Sequence, residues 1–128
     1  MRLTKLETGD KIRTKQYDLE DRTFTFAKDV RTLVKQIPKT VGNIQDVKQL
    51  VRASGSVGAN YIEANESLSK RDFLMRIKIC RKEAKESNFW LRLIDAGDDT
   101  VVEKDRLSLI KEATELTNIF GAILRKSE

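Results

Sequence analysis

The chain has 128 residues, of which 35% are charged and 39% apolar, with one proline, one cysteine and no histidine. That length suits one domain with a real core. The missing histidine excludes a Ser-His-Asp triad, a Cys-His pair and histidine-held metallohydrolase chemistry, and a lone Cys80 excludes an intramolecular disulfide. The net charge of +5 is a modest basic excess. Met1-Arg2-Leu3-Thr4-Lys5-Leu6-Glu7 lacks an apolar stretch of signal-peptide length, and no run approaches the roughly 20 apolar residues of a membrane span. A cytoplasmic protein with no membrane partner is expected.

Residues 1–16 show no periodicity. They carry Arg2, Lys5, Lys11, Arg13 and Lys15 against Glu7 and Asp10, and are expected to form a flexible basic arm ahead of a domain over residues 17–128. A first helix is predicted over residues 19–37. Thr23, Phe26, Ala27, Val30, Leu33, Val34 and Ile37 recur at three- and four-residue steps, which builds one buried face. Pro38 stops it, because the residue before a proline avoids helical angles.

A second helix is predicted from an Asn43 N-cap, with Asp46 three residues on, to about residue 68. Its expected core face is Ile44, Val47, Val51, Ser54, Gly58, Tyr61, Ile62 and Asn65. Gly55 and Gly58 each cost about 1 kcal/mol inside a helix relative to alanine. Close approach of a neighbouring backbone is the usual compensation. Ser54 and Gly58 are expected to admit another helix of the bundle, and Ser56, Ala59 and Asn60, on the outer side, another subunit.

Ser69, with Asp72 three residues on, reads as a capping box, so the link between the second and third helices is short and favours antiparallel neighbours. The third helix is predicted over residues 70–94. Phe73, Ile77, Cys80, Ala84, Ser87, Leu91 and Ile94 form its core seam. At about 100° per residue, two more arcs flank that seam. Lys70, Arg71, Lys78, Arg81, Lys82, Lys85 and Arg92 occupy one. Met75, Ile79, Trp90 and Leu93 occupy the other, with Glu83 and Glu86 among them. After the turn at Ala96-Gly97-Asp98-Asp99, Thr100 and Glu103 suggest a second capping box. A fourth helix then runs to about residue 124, with Val102, Leu109, Ile110, Ala113, Leu116, Thr117, Phe120, Ile123 and Leu124 inward. Four amphipathic helices on short links predict an all-α fold, an antiparallel up-down-up-down four-helix bundle.

Little in this pattern points to a reaction. Glu63 with Glu66, and Glu83 with Glu86, have the spacing of paired acidic motifs in helical Mg²⁺-dependent nucleotide pyrophosphatases. Such carboxylates must converge on one ion, whereas Glu63 and Glu66 point away from their core face. A di-iron bundle needs histidines that are absent. Cys80 lies on the seam and reads as a small buried hydrophobe. No catalytic residue, metal site or cofactor is assigned. The basic arc reads either as a solvated face or as a stripe tracking phosphates. No aromatic is expected within it, so binding would follow charge and shape rather than base stacking. The Met75, Ile79, Trp90 and Leu93 arc reads as a subunit interface, or else as a widened core.

The run Arg52-Ala53-Ser54-Gly55-Ser56-Val57-Gly58-Ala59-Asn60-Tyr61-Ile62-Glu63-Ala64-Asn65-Glu66 resembles the signature of four-helix-bundle proteins encoded in intervening sequences of bacterial 23S rRNA genes. So do Tyr17-Asp18-Leu19-Glu20-Asp21-Arg22-Thr23-Phe24 before it and Lys82-Glu83-Ala84-Lys85-Glu86-Ser87-Asn88-Phe89-Trp90-Leu91 after it. The resemblance implies a bacterial, cytoplasmic, non-enzymatic homopentamer. Related bundles accompany diversity-generating retroelements, where they bind nucleic acid and a reverse transcriptase. The leading expectation is a homo-oligomer associated with nucleic acid, structured RNA before DNA, through the seven basic residues. The alternative is a scaffold that docks a partner enzyme such as a reverse transcriptase or nuclease.

Overall fold

The computed structural model describes the backbone of residues 11–127 and the side chains of residues 19–127. It contains four helices: α1 Lys11–Val34, α2 Val41–Asn65, α3 Lys70–Leu93 and α4 Thr100–Ser127. Each packs on its neighbours in chain order, and α4 closes the ring against α1. The pairs Glu20–Asn65 and Arg31–Val51, Arg52–Glu83 and Asn60–Arg76, and Asn88–Thr114 and Leu91–Arg106 run in opposite directions along their two helices, so sequential helices are antiparallel. This is the expected up-down-up-down bundle.

Helix α1 begins at Lys11, well before residue 19. Residues 11–16 of the expected arm therefore continue that helix, and residues 1–10 lie outside the described residues. Two caps also differ from expectation. Thr40, not Asn43, caps α2, its hydroxyl accepting from the Asn43 N–H. Asp99, not Thr100, caps α4, one carboxylate oxygen accepting from the N–H groups of Val101 and Val102. Ser69 caps α3 as predicted. In both corrected cases the residue just ahead of the first turn takes the cap, because its side chain reaches the orphan N–H groups.

The core gathers Phe26, Val30, Leu33, Leu50, Val57, Ile77, Leu91, Leu116 and Phe120, each at most 2% exposed. Each such side chain contributes about 1.5–3 kcal/mol by burial. Tyr61 and Phe120 meet across the bundle at 5.9 Å between ring centroids. The buried hydroxyls of Thr23, Ser54 and Ser87 donate to carbonyls of their own helices, so they enter the core with their hydrogen bonds made.

The α3 seam is as expected, though Phe73 is only half-buried. The α2 face is rotated from the expected one. Its buried line is Leu50, Ala53, Ser54, Val57, Tyr61 and Ala64, while Ile44 and Ile62 are exposed. Helix α2 packs closely on both α1 and α3, so alanine and serine are selected where the helices lie nearest.

The small-residue run thus serves three sides of one helix. A Cβ on Gly58 would lie 3.0 Å from the Thr23 hydroxyl oxygen on α1, so this glycine permits the α1–α2 approach. Ala53, Ser54 and Val57 enter the core. Arg52 and Asn60 reach α3.

Candidate nucleic-acid interface

Helix α3 is fixed by its seam between α2 and α4, which turns the opposite arc outward. Lys70, Arg71, Lys78, Arg81, Lys82, Lys85 and Arg92 are all exposed there. None of their side chains makes a hydrogen bond or ion pair to a described residue. Arginines at the helix seams behave differently. Arg22 of α1 forks onto Glu112 at 2.7 and 2.9 Å and reaches Glu115. Arg52 joins Glu83 and Glu86, Arg76 donates to Asn60, and Arg106 holds Glu103 and the Leu91 carbonyl. The hydrogen bonds that Arg22 donates to Glu112 raise its pKa further above its already high value. Seam arginines find acceptors within the fold, and the seven cations of the outer α3 arc are left to solvent.

Two residues missed by the sequence reading belong to this face. Phe89 is 50% exposed and lies between Lys85, four residues before it, and Arg92, three after it. The basic arc therefore does contain an aromatic, contrary to expectation, and its spacing was a sufficient signal. Arg125 comes from α4. A Cβ on Gly121 would meet the Arg125 guanidinium at 3.5 Å and the Arg81 stem at 3.9 Å, so the two arginines converge over that glycine. Only the packing of α4 on α3 brings them together. At the start of α3, Lys70, Arg71 and Lys78 rim a shallow depression of about 520 Å³ floored by Leu74 and Met75.

The expected subunit surface divides. Met75 and Leu93 are half-exposed, and Ala59 is open to solvent. Ile79 is half-buried, and Trp90 packs against the core cluster, edge-on to Phe89 at 4.9 Å. The Trp90 indole N–H is enclosed without an acceptor among the described residues. Ser56 and Asn60 bond to each other, and Asn60 accepts from Arg76, so both are engaged within the chain.

The acidic pairs do not converge. Glu83 is buried against Arg52, which also binds Glu86, while Glu63 and Glu66 lie exposed on α2. Among the described residues no three acidic or thiol groups stand close enough to share a metal ion. The Cys80 thiol is fully buried and donates to the Val57 carbonyl, and burial pushes its pKa up to about 12. Such a thiol is a poor nucleophile at neutral pH. No described helix is long and apolar enough to cross a membrane.

A search of curated proteins returned no match. Among solved structures, the bundle is similar to a crystal structure of a protein of unknown function from the S23 ribosomal protein family of Bacteroides thetaiotaomicron. That similarity has a TM-score of 0.69 and 27% identity, over 83% of this chain and 97% of the other. A model of 23S rRNA-intervening sequence proteins matches residues 15–122, and the chain belongs to that family.

Proposed function

We propose that this protein is a non-enzymatic, cytoplasmic homo-oligomer that associates with structured RNA through the outer face of α3. The observation that carries the proposal is the row of seven exposed cations without acid partners among the described residues. Unpaired side-chain cations along one face supply the charge that tracks a phosphate backbone. Arg125 widens the row onto α4 beside Arg81. The half-exposed Met75 and Leu93, with Ala59, support self-association, and the family resemblance supports a pentameric ring.

The test is fluorescence anisotropy with a labelled RNA hairpin at two salt concentrations. With about four phosphates contacted, affinity falls roughly 100-fold for a fourfold rise in salt. Reversing Arg81, Lys82 and Lys85 to glutamate abolishes most of the binding. Absence of binding at low salt, or binding indifferent to the reversal, overturns the reading. Light scattering tests self-association directly, and a monomer would remove that half of the proposal.

A further inference from the structure

We propose that Phe89 is a stacking platform for an unpaired RNA base, with Lys85 and Arg92 holding the phosphates on either side of it. The inference rests on the nucleic-acid reading above and specifies which part of an RNA the face takes. Phe89 is 50% exposed and stands outside the core seam of α3, in the basic arc. Its ring meets the Trp90 ring edge-to-face, at 4.9 Å and 77°. That contact orients the phenyl group without a parallel stack on it, and half of the side chain stays open to solvent. Lys85 and Arg92 lie one helical turn to each side on the same surface, and Lys82 one turn beyond Lys85. An aromatic set within a basic stripe is how single strands are held without sequence readout: the ring stacks a base and the cations follow the backbone.

A second copy of the chain docking on this spot would have to cover Lys82, Lys85 and Arg92, three exposed cations without acid partners among the described residues, whereas a polyanion is favoured by them.

The test uses the full-length protein and two RNA probes of equal phosphate number, a hairpin with an unpaired loop and a blunt duplex. Trp90 is the sole tryptophan, so its emission reports on the Phe89 ring pair. The expected result is a change in Trp90 emission with the hairpin and not with the duplex. Phe89→Ala weakens hairpin binding about 10-fold and leaves duplex binding unchanged. Phe89→Tyr, which keeps the ring, retains wild-type affinity, while Lys82→Glu with Lys85→Glu weakens both probes. Equal hairpin affinity for wild type and Phe89→Ala overturns the stacking platform while leaving the nucleic-acid reading in place. Failure of the wild type to bind either RNA at low salt overturns both. A changed oligomeric state in Phe89→Ala, seen by light scattering, assigns the ring to a subunit contact and also overturns the platform.

Discussion

Asn43 and Asp95 are bonded in both directions. The Asn43 side-chain amide donates to the Asp95 carbonyl at 2.8 Å, and its oxygen accepts from the Asp95 N–H at 3.0 Å. The same amide donates to the Pro38 carbonyl at 2.9 Å. One buried side chain therefore joins the α1–α2 turn to the end of α3, where Gly97 adopts φ 75° against Pro38. This is the end of the bundle where the α1–α2 and α3–α4 links must be held together.

Asn43→Ala leaves the Asp95 carbonyl and N–H without their partner and takes one of two donors from the Pro38 carbonyl, which keeps the Thr40 N–H; the loss costs about 3 kcal/mol. The measurement is urea unfolding, with a lower midpoint at unchanged slope. Asn43→Asp is expected to be worse at neutral pH, because a carboxylate would face two carbonyl oxygens. Lowering the pH should recover part of that loss as the carboxyl protonates. A midpoint equal to wild type in Asn43→Ala would contradict the clamp.

Gly58 is expected to resist substitution in proportion to size. A Cβ there would lie 3.0 Å from Thr23 Oγ1 and 3.2 Å from Thr23 Cβ. Gly58→Leu adds atoms against Thr23 of α1, and overpacking of about 3 kcal/mol or more follows. Gly42, whose Cβ would meet nothing within 4 Å, is the control. Gly42→Ala should stabilise by about 0.5 kcal/mol through backbone entropy. A normally folded Gly58→Leu would remove close approach as the reason for that glycine.

Removing Arg52 should be costlier than removing its partner. The Glu83 side chain is 7% exposed and the Arg52 side chain 53%, so the carboxylate carries most of the desolvation. Arg52→Ala leaves that buried charge without its guanidinium and costs about 2–3 kcal/mol, less than a fully buried pair because Arg52 is half in water. Adding Glu83→Gln to Arg52→Ala should restore much of the loss. Thermal melts of the single and double variants form the cycle, and strict additivity would rule out the coupling.

Cys80 sets an alkaline limit on stability. Its thiol ionises near its ordinary 9.0 in the unfolded chain and at about 12 when buried, with desolvation the main cause. Its pKa is raised on folding, so its contribution is complete below pH 9 and is lost as the pH climbs from 9 towards 12. Stability measured by denaturant should fall across that range, and Cys80→Ala should flatten the fall while lowering stability at neutral pH. A thiol reagent at pH 8 should label wild type only as fast as the bundle opens. Prompt labelling of the native protein would show an exposed thiol.

How much of this was legible in the sequence varied by element. The α3 seam was legible because uncharged residues, with Phe73, Ile77, Leu91 and Ile94 among them, stand at every four-three step while charged residues crowd the positions between. The α2 face was not, because Ala53, Ser54, Ala64 and the glycines carry little hydrophobic signal, whereas Ile44 and Ile62 carry much and lie exposed. Phe89 was legible and was passed over, since its three- and four-residue spacing to Arg92 and Lys85 already placed it in the basic arc.

The sequence by itself determined an all-α bundle, its four helices and the outward basic arc of α3. These follow from local periodicity and cap chemistry, which act within a turn or two of helix. The tertiary structure alone decided which cations remained free. Arg52, Arg76 and Arg106 are as basic in sequence as Arg81, yet each faces an acceptor on or near a neighbouring helix, and Arg81 instead flanks Gly121 together with Arg125. Whether a charge is neutralised depends on what the adjacent helix presents at that level, and helix register is set by the core rather than by the charges themselves.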